Sequence, residues 1–154
     1  MKSYQLLLFD IDNTLIDYEK TEIKALKAVY RSFFCTFCAF DQMVKEFNSI
    51  NSHLWQKYRQ GLIDIQELRL RRFNELTLRF NIKVTPNIIA STYEKVLGEK
   101  VYPYQDSKPF LSWAVKTYKL AVVSDGIAAV QRKKLKKTGF ENFFSAIILS
   151  EEIG

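Results

Sequence analysis

The chain has 154 residues, of which 47% are hydrophobic and 26% charged, the size and balance of one soluble folding domain with a real core. No apolar run reaches bilayer length, and Lys2 is followed only by a brief apolar stretch without a small-residue cleavage site, so a cytoplasmic protein without membrane contact is expected. The formal charge of +6 invites a nucleic-acid partner, but the basic residues are scattered apart from Arg132–Lys137 (RKKLKK), where a solvated helix face is the expected reading.

The first element is the run Leu6-Leu7-Leu8-Phe9. It is too short for a membrane helix and shows no alternation, which predicts a strand buried on both faces, as in a parallel sheet. It ends abruptly in Asp10, Ile11, Asp12, Asn13 and Thr14. Two carboxylates one residue apart at a strand's C-terminal end lie where open α/β sheets place their ligands. Beside a buried strand they must be ionised, paired or metal-bound, because leaving them desolvated is expensive. Turn formation and helix capping by Asn13 or Thr14 is the plainer use of these residues, and it leaves the DxDxT spacing unexplained.

Residues from about 17 to 100 read as four amphipathic helices with short connections. Ile23, Leu26, Tyr30, Phe33 and Phe37 mark the first, with Cys35 and Cys38 inside its pattern. A zinc site would need a second pair of ligands, and His53 is the only histidine, so the two cysteines are expected to be small core thiols. Asp41 is the expected N-cap of the second helix, which carries Val44, Phe47, Ile50, Leu54 and Tyr58 and stops at Gly61. Asp64 with Glu67 resembles a capping box for the third, and Thr85-Pro86 opens a fourth that Gly98 closes. Phe33, Phe34, Phe37, Trp55, Tyr58 and Phe73 could line a substrate pocket but are expected to be core for the most part, and Arg69, Arg71, Arg72 and Arg79 could reach an anionic substrate but are expected to form a solvated face.

From Tyr102 the pattern changes again. Tyr102-Pro103-Tyr104 is a turn-prone link, and Asp106 or Ser107 caps a helix with Phe110, Leu111, Ala114 and Val115. Leu120–Val123 is a second buried strand, ending in Ser124-Asp125-Gly126; a helix with Ile127, Val130 and Leu135 follows, ended by Gly139. Ala146–Leu149 is a third strand, with residues 150–154 (SEEIG) as its exit loop. Strand, helices, strand, helix, strand predicts a right-handed parallel α/β sheet with an inserted helical domain.

DIDNT and SDG at the ends of two such strands resemble the first and second motifs of the haloacid dehalogenase-like (HAD) hydrolase superfamily with an α-helical cap. The C-terminal third, with YPY, KLAVVSDG, QRKKLKKTGFENFF and ILSEEIG, is similar to the branch that dephosphorylates pyrimidine nucleoside monophosphates. The resemblance implies a Rossmann-like core formed by residues 1–16 and 101–154, here incomplete, and a helical cap over 17–100. It implies a magnesium-dependent phosphatase acting on a small phosphorylated metabolite, with Asp10 as the nucleophile that forms an aspartyl phosphate and Asp12 as the general acid and base. Ser124, Asp125 and Gly126 would bind the phosphoryl group, although Asp125 stands where many relatives have asparagine. The Asp10 carboxylate and the Asp12 backbone carbonyl would bind Mg2+. Dehalogenases proper lack a carboxylate at the Asp12 position, so Asp12 favours phosphate chemistry over carbon–halogen cleavage; sugar-phosphate mutases are a further alternative.

In the superfamily a lysine and an acidic pair follow an ILSEEIG-like segment, and the present sequence stops at Gly154. The expectations that follow are a fragment of a longer phosphatase, an inactive truncated remnant, or a complete chain that pairs a bare sheet edge with a partner. In the first two cases the 154-residue chain alone is expected to turn over little substrate.

Overall fold

The structure, a computed structural model, describes residues 4–153. Lys2 and Gly154, used above, lie outside the described residues. The chain divides into two compact units, one formed by residues up to Glu22 together with Leu97 onward and the other by Ile23–Val96.

The first unit is built on three parallel strands in the order β1-β2-β3: β1 (Leu6–Phe9), β2 (Lys119–Ser124) and β3 (Ala146–Leu149). Leu7 is in register with Leu120 and Phe9 with Val122, and Val122 in turn with Ile147. Parallel strands require crossovers. The connection from β2 to β3 carries helix α6 (Ala128–Thr138) and a 3-10 turn over Phe140–Phe143, while α5 (Ser107–Ala114) precedes β2. Gly139 ends α6 with a φ of 71°, a left-handed cap that glycine takes without a Cβ penalty.

Leu111 and Ala114 of α5, Leu135 of α6 and Phe140 pack with Leu120, Val122, Leu7, Phe9 and Ile147. These helices cover one face of the sheet. The opposite face carries Leu6, Leu8, Val123 and Ile148, all exposed, with Leu8 at 62%. The expected burial of β1 on both faces is therefore incorrect for this chain. Side chains alternate along a strand, and β1 is an edge strand whose even-numbered residues point away from α5 and α6. The segment after β3, expected as a loop, is a short helix, α7 (Ser150–Ile153).

The second unit is helical. It contains most of α1 (Tyr18–Val29), a π-helical turn over Tyr30–Phe34, α2 (Phe40–Arg59), α3 (Ile65–Arg79) and most of α4 (Pro86–Glu99). Phe34, Phe47, Leu54, Leu68, Phe73, Leu76 and Tyr93 have no measurable exposure. Phe73 stacks on Phe47 at 5.7 Å and meets the Tyr93 ring edge-on at 5.3 Å. The Asp64 cap is present, its carboxylate accepting from the Glu67 amide at 2.7 Å.

Three local readings are corrected. Ala39, not Asp41, stands at the N-cap of α2, and Asp41 lies in the first turn, where a carboxylate favours the helix N-terminus through its charge. Gly98 lies within α4; a Cβ there would sit 3.0 Å from the Lys133 side chain, so its smallness serves packing, not termination. Cys35 is exposed and Cys38 half-buried, both as free thiols, and Phe37 is 55% exposed. The first helical pattern breaks after Phe34, and residues beyond it no longer share the inward face.

Candidate active site

Because β1 and β2 are parallel neighbours, their C-terminal ends open on the same side of the sheet. Asp10 and Asp12 leave β1 there, and Ser124, the last residue of β2, leads into Asp125 and Gly126. The turn after β1 is tight. Asn13 takes a φ of 57°, which asparagine tolerates better than most residues, and its amide donates to the Ile16 carbonyl at 2.8 Å while the Leu15 and Ile16 amides return to the Ile11 carbonyl. Ile11, Leu15 and Ile16 are buried and pin this loop to the core. Asp17, not Asn13 or Thr14, accepts from the Lys20 amide (2.9 Å) at the start of α1, while Asn13 Oδ1 accepts from the Tyr18 amide at 3.1 Å.

Asp10 reaches solvent, yet its carboxyl is held above the ordinary aspartate range. Partial burial is the largest cause; the Ile11 amide opposes it, the negative charges of Asp12 and Asp125 add to it, and the Ser124 hydroxyl lowers it again. The charges of Asp12 and Asp125 thus add to the cost of ionising Asp10 at the strand ends, an arrangement that a divalent cation would relieve.

Asp12 has what Asp10 lacks. Lys134 Nζ lies 2.6 Å from Asp12 Oδ1. Gln131 Nε2 donates to Asp12 Oδ2 at 3.0 Å and to Ser124 Oγ at 2.8 Å. The two motifs are therefore joined through one buried amide. Gly126 is required by the same contact, since a Cβ there would come within 2.6 Å of Gln131 Nε2. The Gly126 amide donates to Ser124 Oγ at 3.4 Å. Asp125 is exposed.

Lys134 and Gln131 were not anticipated as site residues. The basic run predicts a solvated face for Lys134, whereas it is 1% exposed and lies 5.0 Å above the Tyr18 ring. The signal was present in the spacing. Ala128, Gln131 and Lys134 repeat at three-residue steps beside Leu135, so polar side chains occupy the inward stripe of α6. Arg132, in the same basic run, faces out and forks onto Glu152 at 2.6 and 2.7 Å. Glu151 Oε2 accepts from the Ala128 amide at 2.6 Å, placing a carboxylate at the N-terminus of α6.

The fold and this paired-motif geometry belong to a recognisable class. The model of the haloacid dehalogenase-like hydrolase family matches residues 7–154, and the chain belongs to that family. It is 26% identical over its whole length to the HAD-hydrolase YfnB of Bacillus subtilis, of which it covers 65%. It is 25% identical over 96% of its length to the pyrimidine 5′-nucleotidase YjjG of Escherichia coli, covering 63% of that protein. The chain thus spans less than two thirds of the length of these relatives. The crystal structure of magnesium-bound YfnB superimposes with a TM-score of 0.88 at 25% identity, over 98% of this chain and 67% of YfnB. The L-2-haloacid dehalogenase of Xanthobacter autotrophicus shares the fold, with a TM-score of 0.70 at 15% identity over 97% of this chain and 58% of the other. Among the described residues no helix is long and apolar enough to cross a membrane.

Proposed function

We propose that the protein is a magnesium-dependent phosphomonoester hydrolase that acts on nucleoside 5′-monophosphates. In this reading residues 1–16 and 101–154 supply the catalytic core and 17–100 the cap. The observation that carries it is the second carboxylate: Asp12 is held by Lys134 and Gln131 and tied through Gln131 to Ser124. Cleaving a carbon–halogen bond needs no proton for the departing halide, whereas the alkoxide leaving a phosphomonoester does.

The chemistry follows from the residues. An Asp10 carboxylate oxygen attacks phosphorus; the new P–O bond forms as the ester P–O bond breaks, and Asp12 gives its proton to the leaving oxygen. Water then attacks the aspartyl phosphate, Asp12 takes its proton, and orthophosphate leaves. The ion pair with Lys134 matches the carboxylate form of Asp12 that acts as base in the second step. Ser124 Oγ and the Gly126 amide would hold phosphoryl oxygens. The Asp10 carboxylate and Asp12 backbone carbonyl suit Mg2+, which takes one or two protein oxygens and keeps several waters; when bound it would neutralise the repulsion between nucleophile and phosphate. The crowded negative charge around Asp10 supports that fit.

The substrate class is supported by the likeness to YjjG. Release of orthophosphate from p-nitrophenyl phosphate and from a panel of nucleoside monophosphates, with and without Mg2+, tests the reading. Asp10→Asn is expected to abolish turnover, with pyrimidine monophosphates the preferred substrates; turnover undiminished by Asp10→Asn overturns the mechanism.

A further inference from the structure

Gln131 is 1% exposed, and chemistry fixes which way its amide faces. The Asp12 carboxylate, ion-paired with Lys134 at 2.6 Å, only accepts hydrogen bonds, so the amide atom 3.0 Å from its Oδ2 is the nitrogen. That nitrogen has two protons. One goes to Asp12 and the other to Ser124 Oγ at 2.8 Å.

Ser124 is buried as well, at 5% exposed, and its Oγ also accepts from the Gly126 amide at 3.4 Å. A hydroxyl has two lone pairs and one proton. With two N–H groups directed at the oxygen, the proton is left to donate, and it goes to the Asp10 carboxyl, whose charged form it stabilises. Polarity therefore runs one way, from Gln131 through Ser124 to Asp10. The loop is shaped around this amide: a Cβ on Gly126 would lie 2.6 Å from Gln131 Nε2 and 2.8 Å from its Cδ. The first turn of α6, which carries the glutamine, is fixed in turn by Glu151 on the Ala128 amide at 2.6 Å.

We propose that Gln131 is a positioning residue of the hydrolase site: by donating to Ser124 it commits the Ser124 hydroxyl as a donor toward the reacting group, and by donating to Asp12 it ties the proton-transferring carboxylate to that donor. The proposal rests on the hydrolase reading for what Ser124 binds, a phosphoryl oxygen. The oxygens of a phosphate dianion only accept, so a Ser124 hydroxyl turned the other way loses its contact with them. Gln131 acts through Ser124 and Asp12, not on phosphorus.

A double-mutant cycle on the binding of inorganic phosphate to the full chain, followed by calorimetry in magnesium chloride, tests the assignment. Ser124→Ala and Gln131→Met are each expected to weaken binding about tenfold, the worth of one hydrogen bond to a charged group. The double variant is expected to bind no more weakly than either single one. A double variant weakened by the product of the two losses, about a hundredfold, means that Gln131 only supports α6, and overturns the proposal. Gln131→Glu keeps the length and shape of the side chain but presents an acceptor, so it is expected to weaken phosphate at least as much as Gln131→Met. Binding by Gln131→Glu or Gln131→Met equal to that of the parent overturns the proposal. So does binding untouched by Ser124→Ala, or a parent that binds no phosphate at millimolar concentrations. The cycle is read on binding and needs no turnover, so the hydrolase reading fails separately. Coupled phosphate binding with no phosphate released from any monoester refutes hydrolysis and leaves the Gln131 assignment in place.

Discussion

The helical unit and the α/β unit handle their hydrophobic residues in different ways. The helical unit packs an aromatic centre in which Phe47, Phe73 and Tyr93 interlock with no exposed surface, and leaves Phe37, Leu62, Leu78 and Ile88 scattered on its outside. The α/β unit covers one sheet face with α5 and α6 and leaves Leu6, Leu8, Val123 and Ile148 exposed on the other. Charge is distributed the other way round. The α/β unit gathers Asp10, Asp12 and Asp125 at its strand ends and pairs Asp12 with a buried lysine. The helical unit pairs Arg69, Arg71 and Arg79 with glutamates and buries Arg72 against the Tyr93 and Phe73 rings. The contrast is between a unit whose interior is finished by packing and one whose interior is arranged around chemistry.

Four substitutions would break or sharpen that contrast. The largest expected effect is Asp10→Asn, which removes the proposed nucleophile and should take whatever phosphate release the protein supports to background in a colorimetric assay while the circular dichroism spectrum stays that of the parent. Next is Phe73→Ala in the closed core. Deleting a fully buried aromatic should cost about 3–5 kcal/mol in urea unfolding, and a loss close to zero would mean that the helical unit is loosely packed.

Gly126→Ala should be smaller in stability but local in consequence. A Cβ at 2.6 Å from Gln131 Nε2 forces the buried amide off Ser124 and Asp12, so turnover should fall, and the unfolding free energy should drop by about 1–3 kcal/mol for the lost partners. Leu8→Lys on the open sheet face should change stability by no more than about 0.5 kcal/mol and should reduce self-association in light scattering. A strongly destabilised Leu8→Lys would show that this face is covered in solution.

Asp10 also makes a prediction about pH. Burial and the neighbouring charges raise its folded-state pKa, so the folded chain holds that proton more tightly than the unfolded chain. The cost is absent below the ordinary aspartate pKa of about 4 and grows as the pH rises through the higher folded value. Without divalent cations, Asp10→Asn should therefore raise the melting temperature at neutral pH, and the gain should vanish in acid. A gain that persists below the ordinary aspartate range would assign it to something other than this carboxylate.

Much of the candidate site was legible in one dimension. An apolar run that stops at a pair of acids, and another that stops at Ser124-Asp125-Gly126, predict adjacent parallel strands, and Phe9 is in register with Val122 as that requires. The Asp64 cap and the glycine stop at Gly139 are local chemistry and stand as read. Gln131 and Lys134 could not be read the same way. Each is about 120 residues from Asp12 in sequence, and only the packing of α6 against the sheet brings them within hydrogen-bond reach.

What the sequence alone determined is the order of the elements, the two strand-end motifs and the caps, because periodicity and turn chemistry act over a few residues. What the tertiary structure decided is which polar side chains on an inward stripe find partners. Lys134 meets a carboxylate, Arg72 in the helical unit meets the Tyr93 and Phe73 rings, and Leu8 on an apolar strand faces water. Burial and pairing depend on what other segments bring to the same place. For that reason two basic residues of similar local pattern ended in different electrostatic settings.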